Sequence, residues 1–87
     1  MTISTQDKGF FLSTSPLLEI DGIEAVIVYL YGTDTARFEY LEIQMPGHHV
    51  MHRIGFDDAG DFRFVMEYVD RHMEEIWLLA SHQAGVW

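Results

Sequence analysis

The sequence predicts an α+β domain: a four-stranded antiparallel meander (ββββα) with one long C-terminal helix packed on one face of the sheet. Turn signals separate runs of β-branched and aromatic residues in the first part of the chain. From Phe62 onward, apolar and polar positions recur at helical spacing instead. The length of 87 residues indicates one domain, which we assign to residues 1–87.

Three turn signals delimit the predicted strands. Asp21-Gly22 predicts a two-residue type I′ hairpin, in which both central residues need positive φ; it places Ile20 opposite Ile23 and Leu18 opposite Ala25. The other signals are residues 32–35 and the pair Pro46-Gly47. The strands then lie near residues 10–20, 23–31, 36–45 and 48–56, so that the sheet occupies residues 10–56 after a loosely ordered N-terminus at residues 1–9.

The C-terminal segment is predicted as a single helix over residues 61–83. Its apolar positions form one stripe, from Phe62 to Ala80, and its polar positions lie opposite that stripe. Asp61 is the predicted N-cap and Gly85 the predicted C-terminal stop. About 21 helical residues span roughly 30 Å, close to the length of the second strand, so one helix covers one face of the sheet.

The second strand is apolar at every position from Ile23 to Tyr31 except Glu24, so both of its faces are apolar. With the register set by the turns and no bulge assumed, the aliphatic face packs against the helix and includes Val50, Ile54 and Phe56. The other face has an aromatic centre of residue types that are enriched at protein interfaces. We assign it to partner binding through Ile27, Tyr29, Tyr31, Phe38, Tyr40, Met51 and Arg53.

An alternative covers this aromatic face from within the chain. The N-terminal segment with Phe10 and Phe11, or the C-terminal segment with Trp87, folds back over it in that interpretation. A register slip of one residue would also exchange the two faces.

The charge is strongly acidic, with 14 acidic and 5 basic residues and a net charge of −9. This disfavours direct binding to nucleic acid or to an anionic membrane, and it suits a basic protein partner. Carboxylates near and along the predicted helix form an acidic ridge that could imitate a phosphate backbone, although a solvated helix face is the plainer interpretation. The ridge consists of Asp57, Asp58, Asp61, Glu67, Asp70, Glu74 and Glu75.

No residue pattern indicates catalysis, a cofactor or a metal. The chain has no cysteine, and a strand would hold His48 and His52 roughly 13 Å apart with His49 on the opposite face. Such spacing does not form a compact metal site. The N-terminus lacks a signal-peptide pattern and no apolar run is long enough to span a bilayer, so we expect a cytoplasmic protein.

These observations favour a non-catalytic, acidic protein-binding module. Its most concrete form is a small inhibitor that docks on a larger basic, nucleic-acid-binding protein, as a phage anti-defence (anti-CRISPR-like) protein or an antitoxin would. One alternative is a homodimeric structural or regulatory domain that pairs through the aromatic face. Another is a small metal-binding or enzyme domain that uses the histidines.

Overall fold

The computed structural model describes residues 2–4, 9–34, 36 and 38–84 of the chain. Within these residues it contains one sheet and two helices, and the α+β class is confirmed. The strands are Thr2–Ser4 (β1), Gly9–Thr14 (β2), Leu18–Ile20 (β3), Ile23–Gly32 (β4), Tyr40–Met45 (β5) and His49–Ile54 (β6), and the helices are Ala59–Arg71 (α1) and Met73–Ala84 (α2).

The sheet is an antiparallel meander with the order β1-β2-β4-β5-β6, and β3 pairs with the first part of β4. The single strand predicted over residues 10–20 is therefore divided into β2 and β3. The division falls at Ser15, whose hydroxyl accepts a hydrogen bond from the Ile27 N–H at 3.0 Å. Pro16 follows and has no N–H to donate to the ladder.

The Asp21-Gly22 hairpin agrees with its prediction. Both turn residues have positive φ, 53° and 79°, as a type I′ turn requires. Ile20 pairs with Ile23 and Leu18 with Ala25, so the predicted register is confirmed. Ala25 is buried.

The N-terminus contains a strand that the sequence pattern did not reveal. β1 pairs with β2, with Ile3 opposite Phe10. Three residues are too few to show an alternating pattern, so this strand depends on pairing with β2 rather than on a local signal. The remainder of the segment predicted to be loose lies outside the described residues.

Two helices replace the single helix that we predicted. The N-cap of α1 is Asp58 rather than Asp61, because the Asp58 carboxylate accepts hydrogen bonds from the N–H groups of Gly60 and Asp61 at 2.8 and 3.1 Å. The helices are separated at His72, which has φ −110° and ψ 23° and whose ring stacks on Tyr68. Gly85, the predicted stop, lies outside the described residues.

Both helices pack on the aliphatic face of the sheet, as predicted. α1 follows β6, since Phe62 contacts Arg53 near one end and Asp70 contacts His48 near the other, whereas α2 lies over β2. The core comprises Phe10, Leu12, Val26, Val28, Leu30, Leu41, Ile43, Met45, Phe56, Val65, Val69, Ile76 and Ala80.

Candidate functional site

The sheet face opposite the helices, here called the open face, is organised in rows that cross the strands. Strand pairing sets these rows, because directly opposed residues point to the same side of a sheet. The aromatic row is Phe11, Tyr31, Tyr40 and Ile54. The mixed row beside it is Ser13, Tyr29, Glu42 and His52, and beyond it lie Ile27, Gln44 and His49.

The aromatic row exposes large apolar side chains. Phe11 is 53% exposed, Tyr31 40% and Ile54 49%, and Phe38, just before β5, is 68% exposed. The rings of Tyr31 and Tyr40 lie 5.0 Å apart between centroids. Within the described residues both helices pack on the other face and leave this surface exposed, whereas Trp87, which the alternative interpretation places over it, lies outside those residues. A contiguous exposed apolar patch on a small protein typically marks an interaction surface.

A β-bulge in β6 changes which residues reach the open face. Val50 pairs with Ile43 and His52 with Glu42, which leaves Met51 as the extra residue between them. In the part of β6 beyond the bulge, Arg53 and Ile54 therefore point to the faces opposite to those that we predicted. Arg53 was predicted on the open face and is instead on the helix side, 4.2 Å over the Phe62 ring. Ile54, predicted as core, takes the end of the aromatic row.

The structure brings four of the predicted partner-binding residues together. Ile27, Tyr29, Tyr31 and Tyr40 all lie on the open face. Phe38 is exposed next to this face and Met51 is exposed at the bulge, whereas Arg53 is separated from them.

Sequence reasoning did not assign Phe11, Glu42 or Ile54 to the partner-binding surface. The alternation of β5 could have assigned Glu42 to this surface. Glu42 lies on the same face of the strand as Tyr40, and Leu41 and Ile43 lie on the other face. Phe11 follows the same rule within β2, where the flanking residues Phe10 and Leu12 are buried. These two flanking residues pack in the core, so the alternative in which Phe10 covers the aromatic face is wrong.

Glu42 occupies the centre of the open face between aromatic side chains. The Tyr40 hydroxyl donates a hydrogen bond to Glu42 Oε1 at 3.0 Å, and His52 Nε2 lies 3.8 Å from Oε2. Burial, with the hydrogen bond and the charge of Glu42, raises the pKa of Tyr40 to about 12. Burial and the Glu42 charge also raise the pKa of Tyr29, the direct cross-strand neighbour. Both tyrosines are therefore neutral near pH 7, and Tyr40 remains a donor to the carboxylate.

The acidic ridge is less continuous than the sequence suggested. The break at His72 places Glu67 and Asp70 on α1 but Glu74 and Glu75 on α2, so they do not follow one helix axis. Several ridge carboxylates also have partners within the chain: Asp58 caps α1, Asp70 contacts His48, and Glu75 lies 3.3 Å from His72 Nδ1. Asp57, Glu67 and Glu74 are exposed and Asp61 is half-buried.

Three of the five histidines, all of which lie within the described residues, are each close to a single carboxylate. His48 contacts Asp70, His52 lies near Glu42, and His72 lies near Glu75. No group of three His, Asp or Glu side chains within the described residues is arranged to hold a metal ion.

A second apolar surface lies on α2. Ile76 and Ala80 are buried in the core, whereas Leu78 and Leu79, on the other side of the helix, are exposed. A groove of about 600 Å³ is lined by Met73, Glu74, Glu75, Trp77 and Leu78. Our prediction of a single helix did not include this surface.

Comparisons with known proteins returned no match, whether to a protein-family model, to a curated protein or to a solved structure. Neither helix in the described part of the chain has the length and apolar character needed to cross a membrane.

Proposed function

We propose that this chain is a non-catalytic protein-binding module that docks through its open face. The observation that carries this proposal is the exposed aromatic row together with Phe38, on a sheet whose opposite face already holds both helices. Aromatic side chains bury much apolar area and supply much of the binding free energy at protein interfaces. Tyr31 and Phe38 combine ring area with exposure, which makes them the expected anchors.

The partner that suits this surface is a basic protein. The chain has a net charge of −9. Among the described residues of the open face, Glu42 is the charged group at the centre, and the bulge turns Arg53 away to the helix side. Complementary charge accelerates association and disfavours partners of the same sign. In its most specific form, the chain is a small inhibitor of a nucleic-acid-binding protein, comparable in size and charge to phage anti-defence proteins and antitoxins.

Affinity capture followed by reconstitution tests this proposal. The tagged chain is incubated with a lysate of its native host, and each captured protein is purified and titrated against it calorimetrically. We expect the double variant Tyr31→Ser/Phe38→Ser to lose at least about a hundredfold in affinity, because truncation of hot-spot side chains typically costs 2 kcal/mol or more. The association rate of the wild type should also fall steeply with added salt.

Phe64→Ser is the matched control for the double variant. Phe64 is also an exposed aromatic residue, but it lies on α1 and away from the open face. It should bind like the wild type. Equal affinity of the double variant and the wild type for the reconstituted partner would contradict docking through the open face.

The second candidate is a homodimer that pairs through the same aromatic row. The row is apolar along much of its length, and a two-fold contact requires one surface to match itself. Light scattering on a sizing column distinguishes the candidates. A dimer that the Tyr31→Ser/Phe38→Ser variant converts to a monomer would support self-association, and a wild-type monomer at about 1 mM, where even weak contacts form, would exclude it.

A further inference from the structure

Glu42 differs from an ordinary surface glutamate in its surroundings. Its side chain is only 17% exposed although it lies on the open face. Tyr29 is its partner on one neighbouring strand and His52 on the other. Removing a carboxylate from water is costly unless hydrogen bonds or an opposite charge compensate for it.

The compensation within the described part of the chain is incomplete. Glu42 accepts a hydrogen bond from Tyr40 at Oε1, whereas His52 Nε2, 3.8 Å from Oε2, is beyond hydrogen-bonding distance. A carboxylate offers about four lone-pair positions, so most of its accepting capacity is available. A donor with positive charge, arriving from the solvent side, would complete this site.

We propose that Glu42, with the rings of Tyr29, Tyr31 and Tyr40, forms a binding site for an arginine side chain of the protein partner. This inference rests on the proposed function and names the chemistry at the centre of the open face. The planar guanidinium can donate two parallel hydrogen bonds to a carboxylate while it stacks on aromatic faces, whereas the ammonium group of lysine acts as a compact point charge. The paired rings of Tyr31 and Tyr40, 5.0 Å apart, offer aromatic surface beside the carboxylate.

The net charge of the chain favours this occupant. The neutral Tyr40 hydroxyl donates to Glu42 and holds the carboxylate in place without cancelling its charge. Glu42 thus offers an attractive charge to an arriving cation at the centre of the described open face, with the His52 ring nitrogen Nε2 3.8 Å from its Oε2. A second copy of this chain would approach with its own net charge of −9, so long-range electrostatics favour a basic partner as the source of the arginine.

Nuclear magnetic resonance titration with single amino-acid analogues tests the site without knowledge of the partner. The isotope-labelled chain is titrated at pH 7 with N-acetyl-arginine amide and, in parallel, with the citrulline analogue, which has nearly the same shape but no charge. We expect the arginine analogue to shift the amide resonances of Tyr29, Tyr40 and Glu42 in a saturable manner, and the citrulline analogue to leave them unchanged. The lysine analogue should bind more weakly than the arginine analogue.

Two variants locate the effect. Glu42→Gln keeps the shape of the side chain and should weaken arginine binding at least about tenfold, because it removes a charged acceptor. Glu74→Gln, an exposed carboxylate on α2, removes the same charge elsewhere and should bind like the wild type. A well-dispersed amide spectrum shows that each variant is folded. Equal shifts with arginine and citrulline, or unchanged arginine binding in Glu42→Gln, would overturn the proposal.

The outcomes separate this inference from the proposed function. Loss of partner binding in Tyr31→Ser/Phe38→Ser, combined with no response to the arginine analogue, would retain docking through the open face and reject the arginine site. A specific arginine response that Glu42→Gln removes would support the site even if no macromolecular partner were captured.

Discussion

At the scale of single residues, Glu39 organises one end of the sheet. Its side chain is almost fully buried, and its Oε2 accepts a hydrogen bond from the Phe56 N–H at 3.3 Å. The backbone at Gly32 and Gly55 approaches it closely, since a Cβ atom on either glycine would lie within 3.1 Å of a Glu39 carbon. Because Gly32 and Gly55 have no side chain, they leave room for Glu39, which lies against the end of β4 and against the segment before α1.

Gly55→Ala should be strongly destabilising. Gly55 has a φ of +70°, and a Cβ there would lie 2.9 Å from Glu39 Cγ and 3.0 Å from the Phe38 carbonyl oxygen. The left-handed conformation alone costs a non-glycine residue roughly 1–2 kcal/mol, and the contact with backbone adds to that cost. Gly22→Ala is the control, because it has a similar φ of +79° with no atom within 4 Å. Urea unfolding should show a larger decrease in the free energy of unfolding for Gly55→Ala than for Gly22→Ala. Equal decreases would contradict the role of close packing.

Tyr40 predicts a decline of stability at alkaline pH. Burial and the contact with Glu42 raise its pKa from 10.0 to about 12 in the folded state. Above pH 10 the unfolded chain therefore releases a proton that the folded chain retains, so the free energy of unfolding falls as the pH rises from about 10 to 12. Urea unfolding at pH 9, 10 and 11 measures the decline. Tyr40→Phe should make the free energy of unfolding fall less steeply with pH. An unchanged pH dependence would contradict the assignment of the decline to Tyr40.

At the scale of elements, the boundary of α1 can be tested directly. The Asp58 carboxylate accepts two backbone N–H groups of the first turn. Asp58→Ala should therefore lower the free energy of unfolding by about 1 kcal/mol. Asp57→Ala removes a neighbouring exposed carboxylate without removing the cap and should have little effect. If thermal unfolding showed that Asp57→Ala is more destabilising than Asp58→Ala, the capping role of Asp58 would be contradicted.

The elements also show what local sequence could predict. The register of the first hairpin followed from Asp21-Gly22, because positive φ at both positions selects a two-residue turn. The core face of β4 followed from the register that the turns set and from the aliphatic side chains on that face, and Val26, Val28 and Leu30 are all fully buried. In both cases the determining interactions are local or are repeated along one strand.

Other features depend on contacts that lie outside the regular strand and helix patterns. The bulge at Met51 directs Arg53 to Phe62 and to the carbonyl oxygen of Phe56, neither of which belongs to the sheet ladder. The helix breaks at His72 although the helical spacing of apolar residues continues through this position and no glycine or proline is present there. Alternation and helical spacing could not reveal either feature, and the predicted faces of Arg53 and Ile54 were wrong for this reason.

At the scale of the whole molecule, the chain combines a net charge of −9 with small dimensions. Its extents along the principal axes are 37 × 23 × 21 Å. At an ionic strength of about 0.01 M the screening length is about 30 Å, so carboxylates on opposite sides of the molecule repel one another. At about 0.15 M the length is about 8 Å, and this repulsion is largely removed. Acidic self-repulsion should therefore limit stability in dilute buffer.

We expect the urea midpoint to rise between these two ionic strengths, because screening relieves the repulsion in the compact state. Glu24→Gln should raise the midpoint at low salt and reduce the gain from added salt, since Glu24 lies directly opposite Glu19 in the first hairpin. Glu74→Gln, which has no such opposed carboxylate across a strand, is the control. A midpoint independent of salt would contradict the self-repulsion argument.

The bulge in β6 also affects how readily another strand could add to this edge of the sheet. β6 is the last strand in the sheet, so its outer backbone groups have no neighbouring strand among the described residues. A long, flat border of this kind invites the same strand of another molecule to add on, as in fibrils. The extra residue at Met51 bends this border and disrupts its regular spacing, and Arg53 places a charge on it. The irregularity that moves Ile54 onto the open face thus also makes the border a poor template for extended strand addition.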